Sequence, residues 1–308
     1  SDKPLAVIVG YGPVGRAVDS ILAGSELETV IVDLNMDTVQ DLTKRGKAAI
    51  YGDAFNIEVM HQALGRATHL IVSLPHSFNR TPLIAAAAHE RGALVVVDGV
   101  HLTAHAPVDV AALGADFYAC SPYKFLGPHC GVLAAAPDLL DSLSPDKLAP
   151  SPDSVPERFE LGTLPYELLA GTTAAVDFLA GLDPTALDPS GPGTRRERLT
   201  VSMTAVEKHE DRLRHRIEEG LAALPGVVVH SRAASRTPTL LLSFPGRDPQ
   251  DAYRFLAERG VNAPAGSFYA LEASRRLGFG DTGALRVGLA PYVDETDVDR
   301  LLAALGEF

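Results

Sequence analysis

Short apolar runs recur through the first half of the chain, each closed by a polar or glycine-rich break. They are LAVIV (5–9), ETVIVD (28–33), AAIYGDA (48–54), THLIVSL (68–74), LVVVD (94–98), DFYAC (116–120) and GVLAAA (131–136). Runs of this length between turn residues predict strands, most of them covered on both faces. The stretches 16–23, 35–46, 56–65 and 80–92 carry helical spacing and predict the crossovers. Strand alternating with helix predicts a doubly wound, mostly parallel α/β sheet of Rossmann type.

The pattern changes after residue 143. A Pro- and Ser-rich stretch at 144–156 reads as a surface loop, 165–181 as a helix, and 183–193 as a second loop rich in Asp, Pro and Gly. A long charged amphipathic helix is predicted over 194–224. GVVVHS (226–231), TPTLLLSF (237–244) and ALRVGLA (284–290) predict strands, and 248–260 and 294–306 predict helices. The division expected is a Rossmann-like domain at 1–143, a linker with a connecting helix at 144–193, and a smaller α+β domain at 194–308.

Composition narrows the partners. The formal net charge is −12 over 308 residues. That opposes binding to nucleic acid or an anionic membrane surface, both of which want a basic face, and leaves small-molecule ligands. No apolar run approaches the ~20 residues of a membrane span. No charged-then-apolar signal segment opens the sequence. Cys120 and Cys130 are the two cysteines, too few for a disulfide framework or a metal cluster, which suits the cytoplasm. His76, His89, His105 and His129 are scattered without metal-ligand spacing and read as surface or loop residues. Arg195, Arg196 and Arg198 read as a solvated helix start, and the acidic DETDVD (294–299) as a helix N-terminus.

Gly10-Tyr11-Gly12-Pro13-Val14-Gly15 follows the first predicted strand and opens a helix, and Asp33 closes the next strand 18 positions after Gly15. This is the dinucleotide fingerprint in its required context. Glycines let the backbone approach a pyrophosphate, the helix N-terminus offers free N–H groups, and the acid accepts from ribose hydroxyls. The stretches VIVGYGPVGRAV, VIVDLNMDTVQDL, IYGDAFNIEVM and HLIVSLPHSFNRTPLIAAA make residues 3–84 resemble the TrkA-N, or RCK, nucleotide-binding domain of potassium channels and Kef-type antiporters. The resemblance implies NAD or an adenine nucleotide held by the glycine loop, Asp33 and the Gly52-Asp53-Ala54 segment.

From about residue 84 the chain resembles a different family. AAAAHERGALVVVDGVHLTAHAPVDVAALGADFYACSPYKFLGPHCGVL, ERFELGTLPYELLAGTTAAVDFLAGL, GSFYALEASRRLGF and LRVGLAPYVDETDVDRLLAAL are similar to the C-terminal part of class V aminotransferases, in their cysteine desulfurase-like branch. That family uses pyridoxal phosphate (PLP). The resemblance implies Lys124 as the Schiff-base amine, Asp98 against the pyridine nitrogen and His101 near the ring hydroxyl. It also implies Ser121 and Tyr123 at the phosphate or the lysine, Thr163 reaching the phosphate of a neighbouring subunit, and Arg286 clamping a substrate carboxylate. In GSFYALE, where a desulfurase carries its nucleophilic thiol, stands Tyr269 and no Cys. The family's main phosphate-binding turn and the group that stacks on the cofactor ring belong to a region that here has the TrkA-N-like sequence.

Joined, the two resemblances imply one sheet of order 3-2-1-4-5-6-7 with the last strand antiparallel at an open edge, an edge that invites a homodimer or aggregation. They imply a composite chain, engineered or naturally fused. Its expected role is nucleotide binding beside a partial PLP site without turnover. The alternative is a PLP-dependent class V enzyme of aminotransferase or lyase type built on Lys124.

Overall fold

The computed structural model describes residues 3–54, 56–72, 81–160, 162–188, 191, 193–231, 233 and 236–308. The chain divides into two compact units. The first comprises Ser1–Ala104 with Val108–Leu182, the second His105–Pro107 with Asp183–Phe308.

In the first unit the elements follow in the order β1 (Leu5–Val9), α1 (Pro13–Leu22), β2 (Glu28–Asp33), α2 (Met36–Lys44), β3 (Ala48–Tyr51), α3 (Ile57–Leu64), β4 (Ala67–Val72), α4 (Thr81–His89), β5 (Leu94–Asp98), β6 (Phe117–Cys120), β7 (Val132–Ala135), α5 (Pro137–Ser142) and α6 (Tyr166–Leu179). The sheet order is β3-β2-β1-β4-β5-β6-β7. All pairs are parallel except β6–β7, as the joined resemblances imply. Strand β1 is buried along its whole length, which a five-residue apolar strand requires at the centre of a sheet covered on both faces. Its Val7 and Val9 pack with Leu70, Val95 and the α4 alanines Ala85 and Ala88. Each fully buried side chain of this kind contributes about 1.5–3 kcal/mol of transfer free energy.

Helix starts follow local chemistry. The Asn35 side chain accepts from the N–H groups of Asp37 and Thr38, and Asn56 caps α3 through the N–H of Glu58. These short amides satisfy donors that the first turn leaves open. The strand expected over 68–74 runs over Ala67–Val72; its last two positions, and His76, lie outside the described residues. Strand β7 is largely exposed and forms one edge of the sheet.

The second unit contains α7 (Arg195–Ala222), β8 (Val228–Val229), β9 (Thr239–Ser243), α8 (Pro249–Ala257), β10 (Ala265–Gly266), α9 (Leu271–Arg276), β11 (Ala284–Gly288) and α10 (Glu295–Glu307). Its antiparallel sheet has the order β10-β11-β9-β8. Leu213, Ile217 and Leu221 of α7 pack with Leu240, Leu242 and Leu285 of the sheet and with Val298 and Leu301 of α10. Capping boxes start both long helices, Thr194 with Glu197 and Asp294 with Asp297, so the acidic DETDVD stretch is a helix start. Strand β10 and helix α9 were not read from the sequence, because a two-residue strand and a six-residue helix are too short to show a period.

Candidate functional site

The glycine loop forms where β1 ends. Gly10 takes φ +87°, a left-handed conformation that costs an L side chain about 1–2 kcal/mol. Its N–H donates to the Val32 carbonyl at 2.9 Å, tying the loop to β2. A Cβ at Gly15 would lie 2.1 Å from the Gly10 carbonyl oxygen, so helix α1 approaches the strand end too closely for any other residue. A Cβ on Gly12, the N-cap of α1, would have nothing among the described residues within 4 Å. Among those residues nothing covers that helix N-terminus, the side where backbone N–H groups attract an anion.

Asp33 stands at the end of β2. Its Oδ2 accepts the Tyr11 N–H at 2.8 Å and its Oδ1 the Asn35 N–H at 2.7 Å, so the carboxylate that would meet a ribose also shapes the loop. Gly52 donates its N–H to the Asp33 carbonyl at 3.2 Å. This brings the segment with Asp53 alongside the end of β2.

Beneath the loop lies a cluster that sequence reading missed. The Tyr11 hydroxyl donates to Asp19 Oδ2 at 2.6 Å, Thr29 Oγ1 donates to Asp19 Oδ1 at 2.9 Å, and Lys47 forms an ion pair with the same carboxylate. Asp19 is 2% exposed. Burial alone would raise its pKa, but hydrogen bonds from Lys47, Tyr11 and Thr29 outweigh it and hold the carboxyl below 3.8. Burial first, and then the bond to Asp19, pushes the Tyr11 phenol up to about 12. An Asp in a helix of mixed sequence is ordinarily solvated, and only the tertiary fold brings Lys47, 28 positions away, to it.

The second set of residues sits on the tips of β5 and β6. Val9, Val72, Val97 and Tyr118 are register partners in an unbroken line across β1, β4, β5 and β6. Asp98 is therefore one residue past that line on β5, as Gly10 is on β1. Asp98 is exposed and its Oδ1 accepts the Val100 N–H at 3.0 Å. His101, also exposed, lies in the turn that follows. Behind that turn Tyr118 is buried, and its hydroxyl lies 2.9 Å from Thr103 Oγ1. Burial pushes its phenol up to about 12.

After β6 the chain makes a 3-10 turn, Pro122–Phe125, opened by Ser121. Pro122 and Phe125 face inward, while Tyr123 and Lys124 are exposed. The Gly127 N–H closes the turn on the Pro122 carbonyl at 2.8 Å, and Leu126 takes φ +69°, a left-handed conformation costly for a branched residue. Tyr123 stacks on His129, with centroids 5.0 Å apart. Lys124 Nζ lies 5.9 Å from the Tyr123 ring centroid. Among the described residues neither Lys124 Nζ nor the Ser121 hydroxyl makes a hydrogen bond or ion pair, so the turn carries an amine and a hydroxyl that no described side chain engages. With Asp98 on the neighbouring strand, this donor set fits the ring and amine side of a pyridoxal group.

Thr163 is exposed and follows Gly162, which takes φ +80°. Cys130 Sγ lies 3.6 Å from Thr172 Oγ1 of α6. Burial, and then the neighbouring Cys130, pushes the Cys120 thiol up, the reverse of what a nucleophilic thiolate needs.

In the second unit Arg286 lies on β11 with its guanidinium over the Phe268 ring, 4.1 Å from the centroid. Burial lowers its pKa, and among the described residues it pairs with no carboxylate. Phe268 and Tyr269 take φ +50° and +63°. Two consecutive left-handed residues with side chains store strain, which collects at ligand-gripping loops. Tyr269 is 97% exposed. His105, read as a surface or loop residue, lies in a turn and is 12% exposed, with Nδ1 2.9 Å from Oε2 of the buried Glu210. His89 pairs with Asp116 at 2.9 Å. The described residues contain no His/Cys/Asp/Glu group able to hold a metal ion, and none of their helices is long and apolar enough to cross a membrane.

Two families meet in this geometry. The model of the class-V aminotransferases matches residues 74–190 and 197–301, and that of the TrkA-N domain matches 6–117. The chain belongs to the class-V aminotransferase family and carries a TrkA-N domain at its N-terminal end, the two matches overlapping at 74–117. The cysteine desulfurase CsdA of Escherichia coli is 31% identical over 230 residues, covering 71% of this chain and 52% of that protein. A probable cysteine desulfurase of Pseudomonas putida is 33% identical over 242 residues, covering 73% and 54%. The aminotransferase-like protein FGM3 of Gibberella zeae is 30% identical over 239 residues, covering 74% and 55%. The chain thus spans about half the length of the curated relatives it matches. Among solved structures it is similar to the cysteine desulfurase of Thermococcus onnurineus, with a TM-score of 0.73 at 21% identity, covering 99% of this chain and 72% of that one. It is similar to the E. coli CsdA structure with a TM-score of 0.72 at 24% identity and the same coverage. At these identities the likeness is one of fold, and it extends over the glycine-loop strands as well.

Proposed function

We propose that this chain is a nucleotide-binding composite of two doubly wound folds, with a partial pyridoxal phosphate site and no turnover. The observation that carries the reading is the glycine loop. Among the described residues nothing lies over Gly12 at a helix N-terminus, and Asp33 is fixed within one hydrogen bond of the loop backbone. The ligand is NAD or an adenine nucleotide, its pyrophosphate against the loop N–H groups and a ribose against the remaining Asp33 lone pairs. Melting of the protein with NAD, NADH, ATP and AMP tests this. A ligand at about 100 times its dissociation constant stabilises by about 2.7 kcal/mol, and absence of any shift refutes it.

The second reading is a PLP-dependent enzyme, favoured by the Lys124 amine and Ser121 hydroxyl beside Asp98, neither of which has a hydrogen-bond or ion-pair partner among the described residues. When bound, the pyridine ring of such a cofactor serves as an electron sink for a carbanion. Lys124 would hold its carbonyl carbon, Asp98 would keep its ring nitrogen protonated, and Ser121, His101 and Tyr123 would position its phosphate and ring. Thr163 would meet the phosphate across a homodimer, and Arg286 would clamp a substrate carboxylate with its planar fork. Persulfide chemistry is disfavoured, because the GSFYALE loop offers Tyr269 in place of a thiol. Treatment with pyridoxal phosphate and borohydride, read by peptide mass, tests the lysine. Labelling at Lys124 that disappears in Lys124→Ala supports it, and labelling spread evenly over other lysines counts against it.

A further inference from the structure

We propose that the glycine loop and the Lys124 turn are two ends of one ligand track, so that a dinucleotide and pyridoxal phosphate exclude one another on this sheet. The proposal rests on the nucleotide reading above. The six parallel strands β3-β2-β1-β4-β5-β6 have the order of two joined mononucleotide-binding halves, in which a dinucleotide lies across the strand ends on both sides of the point where the order reverses. The first half is β1–β3 with Gly10–Gly15 and Asp33. The second half is β4–β6, and here the tips of β5 and β6 carry Asp98, Ser121 and Lys124.

The register line Val9–Val72–Val97–Tyr118 brings these tips level along one edge. Two to three strand spacings, about 10–14 Å, separate the glycine loop from them. A ligand with its pyrophosphate over Gly12 and a second nucleotide beyond it therefore covers the β5 and β6 tips. A mononucleotide anchored by Asp33 stays on the β1–β2 side and leaves them open. The cationic Lys124, without a carboxylate partner among the described residues, attracts phosphate-bearing ligands from either family. The track thus accepts one of two occupants, a dinucleotide along its length or pyridoxal phosphate at its far end.

The test uses the full chain and pyridoxal phosphate as a probe of Lys124, fixed with borohydride and read by peptide mass. Melting is measured in parallel. With NAD at ten times its dissociation constant, labelling of Lys124 is expected to slow about tenfold by mass action. With AMP at a concentration giving the same melting shift, labelling is expected to continue at the rate of the bare protein. In Gly12→Val, labelling in the presence of NAD should return to that rate. If NAD and AMP both raise the melting temperature but NAD leaves Lys124 labelling untouched, or AMP protects equally, the shared track is wrong while the nucleotide reading stands. If neither nucleotide shifts melting, the nucleotide reading fails and this proposal with it. If the bare protein shows no labelling of Lys124, the turn is not open to the track and the proposal is overturned.

Discussion

Gly12 is the N-cap of α1 and Gly15 stands three residues on, in its first turn, and the structure separates their roles. In Gly15→Ala the new Cβ would sit 2.1 Å from the Gly10 oxygen, 3.1 Å from the Gly10 carbon and 3.4 Å from Ile8 Cγ2. The nearest contacts are backbone on a buried strand end, so helix α1 must move away from β1 by about an ångström to restore van der Waals distance. Overpacking of this kind costs about 1–3 kcal/mol. For a unit of this size that is about 2–12 °C of melting temperature, at 2–4 °C per kcal/mol. In Gly12→Val the Cβ meets none of the described residues within 4 Å, and the φ and ψ of −69° and −168° suit any residue. Its fold cost is limited to the exchange at the helix N-cap, up to about 1 kcal/mol. Its effect falls on the ligand, since the isopropyl group fills the space a pyrophosphate must enter. Wild type at saturating NAD should gain about 2.7 kcal/mol, or about 5–11 °C. Gly12→Val should gain nothing, and Gly15→Ala should start lower. Differential scanning calorimetry of the three proteins with and without NAD decides it. A Gly12→Val protein that keeps the full shift, or a Gly15→Ala protein that melts with wild type, refutes the assignment.

Tyr11→Phe removes a hydrogen bond to the buried Asp19 carboxylate and should cost about 1.5 kcal/mol, at the low end for a bond to a charged group, measured by urea unfolding. The Tyr11 phenol is held at about 12 against 10.0 when unfolded, so its share of stability is complete below pH 10 and is lost between 10 and 12; Tyr11→Phe should flatten that alkaline limb. Asp19 has the opposite sign. Its folded pKa is depressed, so its contribution is present above pH 3.8 and falls away on acidification below that, and Asp19→Asn should blunt the acid limb. Glu210→Ala removes the buried carboxylate that meets His105 and should destabilise the second unit by about 1–3 kcal/mol, whereas Glu210→Gln, which keeps an oxygen there, should cost less than half as much. Hydrogen exchange along α7 would report both.

The glycine fingerprint, the acid at the end of β2, the strand-end Asp98 and the Lys124 turn were legible in the sequence because each depends on residues close together in the chain. A left-handed Gly10, a Pro at the first helical position and an apolar run bounded by turn residues are local instructions. The strand count and the α/β class followed from the same short-range pattern, and the sheet order from two motif sets that each imply their neighbours. What could not be read was whatever depends on sequence-distant partners. Asp19 became a buried charge only because β2 and the start of β3 bring Thr29 and Lys47 against it. His105 became the partner of a buried carboxylate only because Glu210, 105 positions later, meets it. The level register of Val9, Val72, Val97 and Tyr118 is likewise a property of the assembled sheet. Local sequence determined where a glycine loop follows a strand and where a lysine stands on a turn. Tertiary structure alone decided that those loops lie along one edge, because hydrogen-bonded strand pairing sets the height of each tip relative to the others.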